Sequence, residues 1–207
     1  MESVIDRADH PLVVNKLEGD AALLYRECTA GDVAAARDVL AQVKAFFPAF
    51  HQRLAQQREQ RANCSCDACS NIDNLDLKAF VHVGEFAIKQ VRQFEELAGE
   101  EVILVHRLLK NHVPSRRYIL MTEAVREAAA WQADDLQPHR EMLEGIGQTD
   151  LWLAEPTAIP FELPERPTSG ERTAVPSREA YFHHLPAAGT AQDASLLARL
   201  GRWLGRG

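Results

Sequence analysis

The chain has 207 residues, 23 Lys and Arg against 30 Asp and Glu for a net charge of -7, and 46% hydrophobic residues. That length buries one good core and leaves little for a second domain once tails are subtracted. The acidic balance argues against bulk nucleic-acid binding, which runs on basic patches, and no apolar run reaches the roughly 18 residues of a membrane span.

Residues 2 to 9 read as the last turns of a helix, and so abrupt a start predicts that something upstream is missing. The opening "MESVIDRADHP" carries acids and lacks an apolar core, so it is no secretory signal and a cytoplasmic address follows by default. A hairpin comes next, "PLVVNKLE" and "DAALLYREC", with Glu18-Gly19 at the turn, where glycine tolerates positive φ. Asp32 then offers an N-cap to a helix whose apolar positions Ala36, Leu40, Val43, Phe47 and Phe50 are spaced four, three, four and three. Pro48 should kink or end it, with "HQRLAQQREQR" continuing as a more exposed polar helix.

The stretch "NCSCDAC" puts Cys64, Cys66 and Cys69 at metal-ligand spacing but supplies only three ligands. Cys28 and His82 are the candidates for a fourth around zinc; ordinary reduced thiols or a redox-sensing trio are the other readings. "LDLKAFVHVGEFAIKQV" alternates as strand on either side of Gly84, where a bend or hairpin fits. "GEEVILVHRLLKNH" turns helical, with Val102, Val105 and Leu109 on one face. "RRYILMTEAV" is another strand running into "REAAAWQ", a short helix or strand end. The order of strands and helices predicts an α+β or α/β sandwich, one sheet covered by helices.

From about residue 150 six prolines and many small polar residues predict a disordered linker over 150–194, after a domain at 1–149. At 195–207, Leu196, Leu197, Leu200, Trp203 and Leu204 oppose Arg199, Arg202 and Arg206 on a helical wheel. A short basic amphipathic helix is expected there, docked on its own domain or set against a membrane surface or partner.

Three stretches together resemble the class III nucleotidyl cyclase fold: the "K-x-x-G-D" hairpin at 16–20, "HVGE" at 82–85, and the "G-x-x-V" helix at 99–107 that ends in Arg107. The pattern is most similar to an uncharacterised bacterial family of divergent cyclase-like domains that pairs a "KLEGDA" hairpin with "C-x-C-x-x-C" and "VILVHRLLKN". The resemblance covers roughly residues 2 to 130. It implies a ferredoxin-like, mostly antiparallel sheet whose first strand is absent, and a homodimer, because cyclase sites form between two such domains.

By that resemblance Lys16 would read a purine nucleotide with Glu96 as its partner acid. Asp20 would be one of two carboxylates for a Mg or Mn pair, and Arg107 would steady phosphate charge. Three departures stand out. Glu96 is longer than the usual aspartate. Ile103 occupies the place of an asparagine and offers no hydrogen bond. The strand bearing the first metal carboxylate is not in the chain, so the implied activity would be weak or absent, and a catalytically silent signalling or scaffold module is the competing expectation.

Overall fold

The computed structural model describes residues 2–5, 8, 12–61, 63–132 and 136–163, and the backbone of 195–202. Its elements run α1 (Glu2–Ile5), β1 (Val13–Glu18), β2 (Ala21–Glu27), α2 (Val33–Gln60), α3 (Asp67–Ser70), β3 (Leu77–Gly84), β4 (Ala87–Val91) and β5 (Phe94–Ala98). They continue with α4 (Glu100–Leu108), β6 (Tyr118–Thr122), α5 (Glu123–Ala128), β7 (Gln137–Leu143), β8 (Gly147–Ala154) and β9 (Ser195–Arg202).

Seven of the strands form one sheet in the order β1-β2-β9-β3-β6-β8-β7, and β4 and β5 form a separate hairpin. Of the pairings in the large sheet only β3 with β6 is parallel. The architecture is α+β, a mostly antiparallel sheet covered by helices.

Strand alternation sorts the core into two faces. Ala22 and Leu24 of β2, Leu77, Ala79 and Val81 of β3, and Ile119 and Met121 of β6 pack beneath α2 and α5. Leu23 and Tyr25 of β2 meet Val102 and Val105 of α4 on the opposite face, and Phe80 and Leu120 meet Leu108 there. The helix α2 starts where the sequence predicts, with the Asp32 carboxylate accepting from the Ala35 N–H at 2.9 Å. It then runs unbroken past Pro48 to Gln60, because Phe46, Phe47, Phe50 and Leu54 bury its second half in the same core as its first.

Two expectations about the C-terminal part are corrected. The domain does not end at 149: β8 continues to Ala154, Ile159 is buried, and Phe161 stacks edge-on against Trp131 with ring centroids 5.6 Å apart. The proline-rich composition was misleading up to that point because a few apolar residues suffice to close a core edge. The end of the chain is not a helix where it is described, since Ser195–Arg202 is the strand β9. It pairs antiparallel with β2 on one side and β3 on the other. Two buried strands otherwise left with open hydrogen-bonding edges outweigh the weak intrinsic preference of a three-turn helix containing glycine. Residues 164–194 and 203–207, including Trp203, Leu204 and Arg206, lie outside the described residues. Finally, "FEELA" is the strand β5, and 137–154 is the hairpin β7-β8; neither was foreseen.

No helix among the described residues is long and apolar enough to cross a membrane.

Candidate functional site

The β1-β2 hairpin turns through Gly19, at φ +60°, and Asp20. Its register shifts between Val14 and Lys16: Val14 faces Leu24, but Lys16 faces Leu23, so Asn15 is an extra residue in β1. Strict alternation would place Lys16 with Val14, which packs on the α2 side of the sheet. The bulge instead turns Lys16 to the side of Leu23, which packs against α4. Asn15 is tied down by its side-chain N–H, which donates to the Glu95 carbonyl at 3.2 Å.

On that face Lys16 Nζ donates to Glu96 Oε2 at 2.9 Å and lies 3.2 Å from Glu18 Oε1. Burial works to lower the lysine pKa, but the bonds to the two carboxylates and their charges prevail and hold it above its ordinary value. Glu18 also meets His106 Nε2 at 3.3 Å, and His106 Nδ1 donates to the Val102 carbonyl at 2.7 Å. A chain of polar contacts thus links β5, β1 and α4.

Beside it opens a cleft of about 480 Å³. Lys16, Arg107 and Lys110 supply its cationic lining, His106 a further polar group, and Leu97, Val102, Leu109 and Ile103 its apolar lining. Arg107 donates to Glu144 Oε2, at the turn after β7, at 2.8 Å. That partner is 73% exposed, so an incoming anion can compete for the guanidinium.

Of the residues singled out by sequence, Lys16, Ile103 and Arg107 line this one cleft, and Glu96 adjoins it through Lys16. Asp20 is not among the lining residues and stands at the hairpin turn. Sequence reasoning placed Glu18 at the turn and gave it no role in the site, although it ends β1 two residues after Lys16, which puts both on one face. It also missed the carboxylate of Glu141, which is buried on the edge strand β7 and accepts from the His112 N–H at 2.7 Å, His112 Nδ1 at 2.9 Å and His139 Nε2 at 2.7 Å.

The thiols gather between the end of α2 and α3, with Cys66 capping α3 and Cys69 within it. The Sγ atoms of Cys64, Cys66 and Cys69 lie within 4.8 Å of one another, an arrangement that could hold a metal ion. The backbone N–H of Cys69, with the Cys64 and Cys69 thiols, draws the Cys66 thiol down to about 7, while the Cys64 and Cys66 thiols push Cys69 up.

His82 does not join the thiols. It is buried on β3, its Nδ1 2.8 Å from Thr122 Oγ1 and its Nε2 2.6 Å from Glu101 Oε2, so both ring nitrogens are engaged. Cys28 is likewise outside the thiol group and packs against the α2 core. Among the described residues the cluster therefore has three protein ligands.

No solved structure matches the chain. A protein from Mycobacterium tuberculosis (strain ATCC 25618 / H37Rv), "Uncharacterized protein Rv2561/Rv2562", is 38% identical over 170 residues, covering 77% of this chain and 76% of the relative. Residues 1–118, from the hairpin through the thiol loop and α4 to the start of β6, match the family model described as "Protein of unknown function (DUF2652)". The cleft and the thiol cluster thus lie on the shared part of the molecule, and the chain belongs to the DUF2652 family.

Proposed function

We propose that this domain binds a purine nucleotide in the α4 cleft, as a divergent nucleotidyl cyclase-like module that works as a homodimer. One observation carries the reading. A chain of net charge -7 concentrates Lys16, Arg107 and Lys110 around a cleft with apolar walls. Cationic and apolar side chains lining the same cleft suit an anion with a flat, apolar body. In this reading the Lys16–Glu96 pair meets the base edge, the lysine donating and the carboxylate accepting. Arg107 and Lys110 meet the phosphates, Arg107 exchanging Glu144 for a phosphate oxygen.

A Mg or Mn pair does not fit the residues of one protomer. Among the described residues the thiols are the group of three or more His, Cys, Asp or Glu side chains that converges, and Asp20 belongs to no such group. Hard divalent cations need several convergent oxygens. Ile103, 54% exposed at the cleft, adds to this, since it presents apolar surface where a hydrogen-bonding residue would orient a ribose. These two features favour a binding module that is catalytically silent over an active lyase.

The thiol cluster is a separate site in this reading, with Cys64, Cys66 and Cys69 holding zinc and a water or outside group completing the tetrahedron.

Titration of the purified full chain with fluorescent mant-GTP and mant-ATP, with and without manganese, tests the nucleotide reading. Saturable binding that competes with unlabelled nucleotide is expected, and no binding in either condition rejects it. Incubation with ATP or GTP and manganese, followed by analysis for cyclic product, separates an active cyclase from the silent module.

A further inference from the structure

The "HVGE" stretch at the end of β3 lies outside the cleft, yet its contacts reach the helix that builds the cleft. We infer that His82, Gly84 and Glu101 form a clamp that fixes the seat of α4 on the sheet, making His82 and Gly84 positioning residues for the cleft. The inference rests on the reading of that cleft as the ligand site.

The ring of His82 joins three elements. It stands on β3, meets Glu101 on the first turn of α4 at 2.6 Å, and meets Thr122 at the junction of β6 and α5 at 2.8 Å. When Nε2–H donates to the carboxylate, Nδ1 accepts the Thr122 hydroxyl proton, so a neutral ring leaves neither nitrogen unsatisfied. The His82 side chain is 6% exposed. A bond lost there leaves a polar group without water to replace its partner.

Gly84 makes the approach of Glu101 possible. A Cβ at this position would lie 2.5 Å from Glu101 Cγ and 2.7 Å from His82 Nε2, closer than such atoms pack. Any larger residue must displace Glu101, whose Cβ would lie only 2.8 Å away, or the His82 ring, and so break the close fit of helix on strand. Glu101 directly precedes Val102 and Ile103, and His106 and Arg107 follow within two turns of the same helix. The first turn of α4 therefore sets where these cleft residues sit relative to Lys16. The opposite flank of α4 is held through the longer contact of His106 with Glu18, 3.3 Å, at the protein surface. That contact cannot replace the inner one, because a partly exposed pair is worth little.

The test compares the full chain with His82→Ala, Gly84→Ala, Glu101→Ala and Glu101→Gln by amide hydrogen exchange and mant-GTP titration. The three disruptive variants should speed exchange over 102–108 about tenfold more than over 118–122, the effect of one lost buried hydrogen bond. They should also weaken nucleotide binding about tenfold. Glu101→Gln keeps an oxygen facing His82 and should stay within about twofold of the parent in both. Because Glu101 is partly exposed, its variants fold even if the buried substitutions do not. Equal acceleration in α4 and β6, or none in either, overturns the clamp. If the parent chain binds no nucleotide, the exchange pattern still decides the clamp, and only the nucleotide reading fails.

Discussion

Lys16 and Glu96 stand 80 residues apart in the chain and meet at 2.9 Å between Nζ and Oε2. The meeting depends on Asn15, whose insertion as a bulge turns Lys16 to the α4 side of the sheet. Lys16→Ala should cost little stability, no more than about 1 kcal/mol, because the pair is partly exposed. It should weaken mant-GTP binding about tenfold or more, the worth of one charge-assisted hydrogen bond. Deleting Asn15 removes the register shift and sends the lysine toward the core under α2, so both binding and the thermal midpoint should fall. Titrations and melting curves on the two variants check this.

Glu141 couples the edge strand to the loop after α4. Burial raises the carboxyl pKa, but the bonds from the His112 side chain and N–H and from His139 outweigh it, leaving the folded value below the ordinary 4.5. A depressed folded pKa gives stability that is present above the unfolded value and lost as pH falls through the folded one. Acid should therefore unfold the parent chain progressively below about pH 4.5. Glu141→Gln should flatten that dependence and cost about 1 to 3 kcal/mol at neutral pH, since two histidines and a backbone N–H lose a charged acceptor. Denaturant midpoints between pH 3 and 7, on the order of four units, would show it.

Cys66 is drawn down to about 7, so at neutral pH it should alkylate faster than Cys69, which is pushed up. Metal should protect all three thiols of the cluster together. Roughly one zinc per chain is expected by elemental analysis of protein purified without chelator, falling toward zero in Cys66→Ser. Unchanged alkylation rates with and without added zinc would argue for ordinary thiols.

The strand β9 bridges β2 and β3, pairing with both along its length. A chain ending at residue 194 should expose the edges of two buried strands, lower the thermal midpoint by about 10 °C or more, and associate at micromolar concentration. Melting curves and light scattering on the shortened chain measure this. A shortened chain as stable and monodisperse as the parent would show that β9 is dispensable.

Local chemistry settled a good part of this protein in advance. Asp32 before a run of helix-spaced apolar residues fixes the start of α2, and Gly19 between alternating strands fixes the first hairpin. Both signals act within a few residues, where capping and turn geometry decide the outcome. The proximity of Cys64, Cys66 and Cys69 follows likewise from short spacing alone. Tertiary structure decided the rest. The side of the sheet that Lys16 faces depends on a bulge, the fate of His82 on Glu101 and Thr122 arriving from elsewhere, and the strand at 195–202 on two edges more than 100 residues upstream. Each outcome is set by long-range pairing and burial, which override the weak local preferences that a sequence displays.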